Sequence, residues 1–158
     1  MRRARRRLDG GISATIIDVK IVVDTNIFVG ACIGMGACNR VVAACLQGAC
    51  TPLMGTTLFN EYEDVLRRTS LFKRSRLNAS EREVLLDVFL AHCSWVRIYC
   101  GWRPNLPDEG DNHLIELAVA GGAASVVTRN TRDFRQSELQ FPSVTIRSPE
   151  ALLEELMP

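Results

Sequence analysis

Lys20-Ile21-Val22-Val23-Asp24-Thr25-Asn26 is a short β-branched run that ends in a carboxylate and passes directly into residues suited to a helix. Consecutive apolar positions without alternation read as a buried strand. Thr25 to Ala31 then begins a helix that Gly34 and Gly36 break. The same strand-then-helix order recurs down the chain. Asn39 to Gln47 reads as a helix stopped by Gly48, and Cys50 to Met54 as a second strand. Thr57 is placed to cap a helix running to about Arg68. Ser80, with Glu83 three residues on, predicts a capping box for another helix. Ser94 to Tyr99 is a third strand, and Gly101 to Gly110 a loop rich in Pro and Gly. Asp111 to Ala120 is a helix ended by Gly121-Gly122, and Ser125 to Thr128 a fourth strand. Val144 to Ile146 is a fifth, and Ser148-Pro149-Glu150 opens the last helix with Pro at its first position. Strands alternating with helices predict an α/β domain with a mostly parallel sheet.

The chain has 158 residues, which suits one domain, and 47% of them are hydrophobic, which is enough for a core. Residues 1–18 read as a basic flexible tail and 19–158 as the domain. Met1 is followed by five Arg within seven residues, yet no clean apolar segment and cleavage site come after them, so a signal peptide is not expected. The tail is either a phosphate-binding arm or an extension without a role. No apolar run approaches the roughly 20 residues of a membrane span. The expectation is a cytoplasmic protein. Net charge is +1, but residues 1–9 carry +4, which leaves the remainder at −3. A body of that balance is not a simple polycationic nucleic-acid binder. Six cysteines stand at 32, 38, 45, 50, 93 and 100, with no Cys-x-x-Cys pair, which excludes zinc-ribbon and thioredoxin-like readings. They are expected to be reduced and mostly buried.

The carboxylates carry the chemistry. In an open parallel sheet, ligands bind beyond the carboxyl ends of the strands. Asp24 sits at that end of the first strand, facing the crevice or capping the next helix. On a helix from Asp111, residues Leu114, Ile115, Leu117, Ala118 and Val119 form one apolar stripe, and Asp111 projects into its middle. A carboxylate there needs a partner, which a cation, an Arg or the helix N-terminus supplies. Asp108 either joins it or only solvates the loop. Glu61 and Glu63 flank the apolar face of Leu58, Phe59, Tyr62, Val65 and Leu66 on opposite sides, and position alone does not choose between them. After the fourth strand come Thr128, Asn130 and Asp133, as site groups or as turn residues. Several carboxylates in one crevice repel one another, and a hard, oxygen-preferring divalent cation resolves the conflict. Such sites suit phosphodiester hydrolysis.

At this point the chain resembles the PIN-domain family. The resemblance rests on Val22-Val-Asp24-Thr-Asn26, Glu61-Tyr-Glu-Asp-Val-Leu66, Asp111-Asn-His-Leu-Ile-Glu-Leu-Ala118 and Val127-Thr-Arg-Asn-Thr-Arg-Asp-Phe134, in that order, and spans about Lys20 to Leu156. The subgroup it is most similar to is the toxin component of bacterial toxin–antitoxin pairs. The resemblance implies a Rossmann-like sheet of about five parallel strands and a Mg²⁺- or Mn²⁺-dependent endoribonuclease acting on single-stranded RNA. It implies metal ligands at Asp24, Glu61 and Asp111, with Asp108 as a further acid of the subgroup. Asn26, Thr128 and Asn130 are supporting residues. Many relatives carry an Asp where Asn130 stands, so the fourth catalytic acid is either Asp133 or missing. A small antitoxin protein and a homodimer are the partners it implies besides RNA.

Arg67, Arg68, Lys73, Arg74 and Arg76 fall within ten positions of a chain that is acidic outside its tail, and are candidates to hold RNA through phosphate contacts. Competing readings differ in chemistry. A PIN-like module that binds RNA or a partner without cutting is one, and the Asn at 130 favours it. An aspartyl-phosphate phosphatase using Asp24 as nucleophile is another, although Asn26 replaces the second Asp of the usual turn. A dinucleotide site would need Gly-x-Gly-x-x-Gly after the first strand, where this chain has Asp-Thr-Asn.

Overall fold

A computed structural model describes residues 18–34, 36–98, 112–135 and 143–157. The Arg-rich tail, Cys100, the Gly101–Gly110 loop, and with them Asp108 and Asp111, lie outside the described residues.

Five strands form one parallel sheet: β1 (Lys20–Val23), β2 (Thr51–Met54), β3 (Ser94–Trp95), β4 (Ser125–Val127) and β5 (Thr145–Arg147). Their order is β3-β2-β1-β4-β5. The helices described are α1 (Thr25–Ile33), α2 (Gly36–Leu46), α3 (Thr56–Leu66), α4 (Ala79–Ala91), α5 (Asn112–Gly121), α6 (Thr131–Arg135) and α7 (Pro149–Leu156). A 3-10 turn, Thr69–Phe72, follows α3. The expected α/β architecture with five parallel strands is therefore present. No described helix is long and apolar enough to cross a membrane.

Strand β1 is paired on both edges, with Ile21 opposite Pro52 of β2 and Ser125 of β4. That central position explains its unbroken apolar run: Ile21, Val22 and Val23 are all buried. Pro52 is tolerated in β2 because the pairing with β3 begins only at Leu53, so no ladder bond needs its missing N–H. Below the strand ends, Phe28, Tyr62 and Phe89 from α1, α3 and α4 pack ring against ring, with centroids 5.4 to 5.9 Å apart. Helix α5 packs along β2, β1 and β4, and α7 packs on α2. Gly121, the last residue of α5, lies so close to Leu53 and Val96 that a side chain there would collide with both.

Several local expectations are corrected. Thr57 does not cap α3: the helix begins at Thr56 after Gly55, which makes no side-chain cap and lies tight against Leu117 and the Val96 carbonyl. The capping box of α4 is Asn78 with Glu81, two residues before the expected Ser80 with Glu83. Both tetrads have a suitable spacing, and Asn accepts the N3 amide as well as Ser does. Helix α2 starts at Gly36 rather than Asn39. Strand β3, at the sheet's edge, is two residues long rather than running from Ser94 to Tyr99, with Val96 N–H adding one further bond to the Met54 carbonyl at 2.8 Å. Thr131 to Arg135 is a short helix where turn residues were expected.

Candidate metal centre at the strand switch point

Strands β1 and β4 are adjacent, and the chain leaves them toward opposite edges of the sheet. The crevice between their carboxyl ends is the switch point, where α/β sheets bind ligands. Asp24 closes β1 and Thr128 closes β4 at that crevice.

Asp24 stands at the N-cap position of α1 with extended backbone, yet its side chain caps nothing. The carboxylate instead gathers donors from both strand ends. Its Oδ2 accepts from Thr128 Oγ1 at 2.7 Å and from Asn26 Nδ2 at 3.2 Å, while its Oδ1 faces Thr25 Oγ1 at 3.4 Å. It is 5% exposed. Burial pushes its pKa up from the usual 3.8, the Thr128 hydrogen bond opposes this, and the nearby Glu61 charge adds to the rise.

Helix α3 brings Glu61 to the same place. Thr25 Oγ1 lies 3.3 Å from Glu61 Oε1, so one hydroxyl touches both carboxylates. His113, in the first turn of α5, places Nε2 3.1 Å from Glu61 Oε2. Glu63 faces away and lines a separate pocket with Arg67 and Arg82. The choice that the helix pattern left open is made by packing: α3 rests against α5, which turns the Glu61 flank toward the crevice. Tyr62, between the two acids, is fully buried and donates to the Val23 carbonyl at 2.7 Å, tying α3 to the end of β1.

Asp24, Thr25, Asn26, Glu61, Val65, Arg68 and Asn130 line one open cleft. Arg68 is thus the member of the basic stretch that reaches the acidic site, where it also pairs with Asp64 at 2.6 Å. Arg67 belongs to the neighbouring pocket. Lys73 and Arg74 are exposed, and the Arg76 guanidinium packs over Gly34 at the C-terminus of α1. Asn130 faces the cleft and its amide donates to Asp133, which does not line it. The loop is held by Arg129, whose N–H donates to Asn26 Oδ1 and whose guanidinium grips Glu150 at 2.8 and 2.9 Å.

His113 had no assigned role in the sequence. Its signal was its position two residues after Asp111 on a helix bearing an acid, but only tertiary contact shows that the ring reaches Glu61. Among the described residues no group of three or more His, Cys, Asp or Glu has a metal-holding arrangement. The donor set nonetheless suits a hard cation: two carboxylates bracket one hydroxyl, and their mutual repulsion contributes to the raised pKa of Asp24.

A family model described as a PIN domain matches residues 20–132. The chain belongs to the PIN-domain family. PIN domains are generally nucleases, and the matched span carries Asp24, Glu61 and Asp111. Two solved structures share the fold. One is VapBC2 from Rickettsia felis bound to a DNA fragment from its promoter, at 15% identity and TM-score 0.54, covering 82% of this chain and 98% of that one. The other is PAE2754 from Pyrobaculum aerophilum, at 13% identity and TM-score 0.53, covering 87% and 89%. At such identities the likeness is one of fold. A comparison with curated proteins gives no match.

Proposed function

We propose that this PIN domain is a Mg²⁺- or Mn²⁺-dependent endoribonuclease that hydrolyses single-stranded RNA as the toxin of a toxin–antitoxin pair. The observation that carries the reading is the joining of Asp24 and Glu61 through the Thr25 hydroxyl in one open cleft with Arg68 at its rim. Among the described residues Asp24 and Glu61 would hold the cation, and Asp111 and Asp108 complete the proposed set. These oxygens would hold a divalent cation, which would offset their charge and supply Lewis-acid polarisation of a phosphodiester.

The chain's own residues do the rest. Thr128 and Asn26 fix the rotamer of Asp24 so that its oxygens stay aimed at the cleft. Arg68 offers a guanidinium fork to a phosphate as RNA enters. Arg67, Lys73, Arg74 and Arg76, which follow α3 in the chain, add phosphate contacts outside the cleft and so affinity without sequence preference. Asn130 presents a neutral amide in place of a fourth acid, and Asp133 stands behind it. The fold shared with VapBC2 and the subgroup pattern at Glu61-Tyr62 support the toxin role, with a small antitoxin as partner. A homodimer and a cytoplasmic location complete the proposal.

Purified protein incubated with single-stranded RNA tests the reading. Cleavage is expected with Mn²⁺ or Mg²⁺, is expected to stop with EDTA, and is expected to be lost in a folded Asp24→Asn variant. Activity that survives EDTA or the substitution overturns it. RNA binding without cleavage in metal would instead support the non-catalytic module.

A further inference from the structure

We propose that His113 is a positioning residue that locks the orientation of the Glu61 carboxylate for its cation, an inference that rests on the metal-nuclease reading above. Glu61 is held on both oxygens: Thr25 Oγ1 donates toward Oε1 at 3.3 Å and His113 Nε2 lies 3.1 Å from Oε2. A carboxylate only accepts, so the ring carries its hydrogen on Nε2 and donates it to Glu61. His113 Nδ1 is buried with no hydrogen-bond partner among the described residues. Among the described residues the ring's directional contact is therefore with Glu61, and no backbone group there turns it elsewhere.

The clamp has a physical purpose. Glu61 is on the side of α3 with a flexible side chain, 31% exposed, and such a chain loses rotamer freedom when it ligates a cation. Asp24 avoids that loss by burial at a strand end, where Thr128 and Asn26 hold it. Glu61 has no strand to stiffen it. A donor on α5, one helix away, does the same work from outside. His113 is well placed because Leu114, Ile115, Leu117 and Ala118 bury α5 against the sheet and fix its first turn. The arrangement ties the two acidic segments together: α3 supplies the ligand, and α5, the helix that follows Asp111, supplies its orienting group.

The test compares His113→Leu, which fills the space without a donor, with His113→Gln, which keeps an N–H near the position of Nε2. Mn²⁺ binding to the RNA-free protein is measured by calorimetry, alongside kcat and KM on RNA and the apo melting temperature. His113→Leu is expected to weaken Mn²⁺ binding and lower kcat by roughly 10- to 100-fold, the usual effect of removing a partner of a metal ligand, with KM for RNA little changed. His113→Gln is expected to restore most of both. In an Glu61→Gln background, His113→Leu is expected to cause no further loss of Mn²⁺ affinity, because its effect runs through Glu61. Wild-type Mn²⁺ affinity in His113→Leu, no rescue by His113→Gln in proteins that melt like wild type, or an undiminished effect in the Glu61→Gln background each overturns the proposal. A wild-type protein that neither binds Mn²⁺ nor cleaves RNA overturns the nuclease reading itself, whereas the three preceding results leave that reading standing.

Discussion

The hydroxyl of Thr128 donates to Asp24 Oδ2 at 2.7 Å, joining the end of β4 to the end of β1 across the switch point of the sheet. Thr128 is fully buried and Asp24 nearly so. Thr128 also receives the Asn26 amide at 3.3 Å and the Asn130 backbone N–H at 3.0 Å. One hydroxyl thus holds the metal-site acid, its neighbour and the loop that lines the cleft.

Thr128→Val is expected to destabilise the protein by about 1–3 kcal/mol, because a buried carboxylate loses its shortest donor while the shape is kept. Thr128→Ser is expected to stay near wild type. Urea unfolding of the three proteins checks this. Equal midpoints for Val and wild type would mean that water replaces the hydroxyl without loss.

The buried charge of Asp24 sets a pH dependence with a definite sign. Burial, and secondarily Glu61, raise its folded pKa above the usual 3.8, against the Thr128 hydrogen bond. Between those two values the folded protein binds more protons than the unfolded chain. Metal-free stability therefore falls as pH rises through that window and stays lower above it. In Asp24→Asn this decrement is absent. The amide fits, with its oxygen accepting from Thr128 and Asn26 and its nitrogen facing Thr25 Oγ1. Melting curves in EDTA from pH 4 to pH 8 are expected to show a higher and flatter profile for the variant. A lower melting temperature across the whole range would contradict it.

Tyr62→Phe removes the 2.7 Å bond to the Val23 carbonyl, the backbone group just before Asp24. The ring packing against Phe28 and Phe89 is retained. The expected loss is about 1 kcal/mol, the usual net worth of a buried neutral hydrogen bond. Chemical denaturation measures it, and an unchanged midpoint would show that the carbonyl finds another donor.

Asn78→Ala is expected to cost about 0.5–2 kcal/mol, since Asn78 accepts the Glu81 amide and Glu81 returns the bond, both at 2.9 Å. Ser80→Ala, on the residue that sequence spacing favoured, is expected to be neutral. The reverse ranking in thermal melts would move the helix start.

Cys32, Cys45 and Cys93 are expected to resist chemistry in the folded state. Burial pushes Cys32 up to about 11 and Cys93 up to about 12, and the contact with Cys50 together with burial raises Cys45 further. Iodoacetamide at pH 8 is expected to leave these three unmodified until the protein unfolds, as peptide mass spectrometry reads. The unfolded thiols ionise near 9.0, so stability is expected to decline above that pH, where the unfolded chain releases protons that the folded one keeps. Prompt native labelling of Cys32 or Cys93 would contradict both.

The sequence by itself determined the five strands, the helices other than the short α6, and their order, though not their exact ends. The run Ile21-Val22-Val23 reads as a buried strand, and an acid after it has to sit at a strand end. Periods of apolar residues placed the faces of α3 and α5 and found that Tyr62 faces the core, while α4 was placed by a capping signal two residues off. These are local or nearest-neighbour consequences of side-chain chemistry. Pattern along one helix is symmetric about its apolar face, so it could not separate Glu61 from Glu63. The packing of α3 on α5 breaks that symmetry and sends one acid to Asp24 and the other to Arg82. The Thr128 hydroxyl on Asp24 joins residues 104 apart, and the His113 ring on Glu61 joins residues 52 apart. Such pairs depend on which strands become neighbours, here β1 beside β4, a choice made by the burial of the whole sheet and by no short stretch of chain. Whether Asp24 capped its helix or faced the crevice was likewise settled by donors arriving from distant segments, because a carboxylate turns toward the hydrogen bonds that compensate its burial.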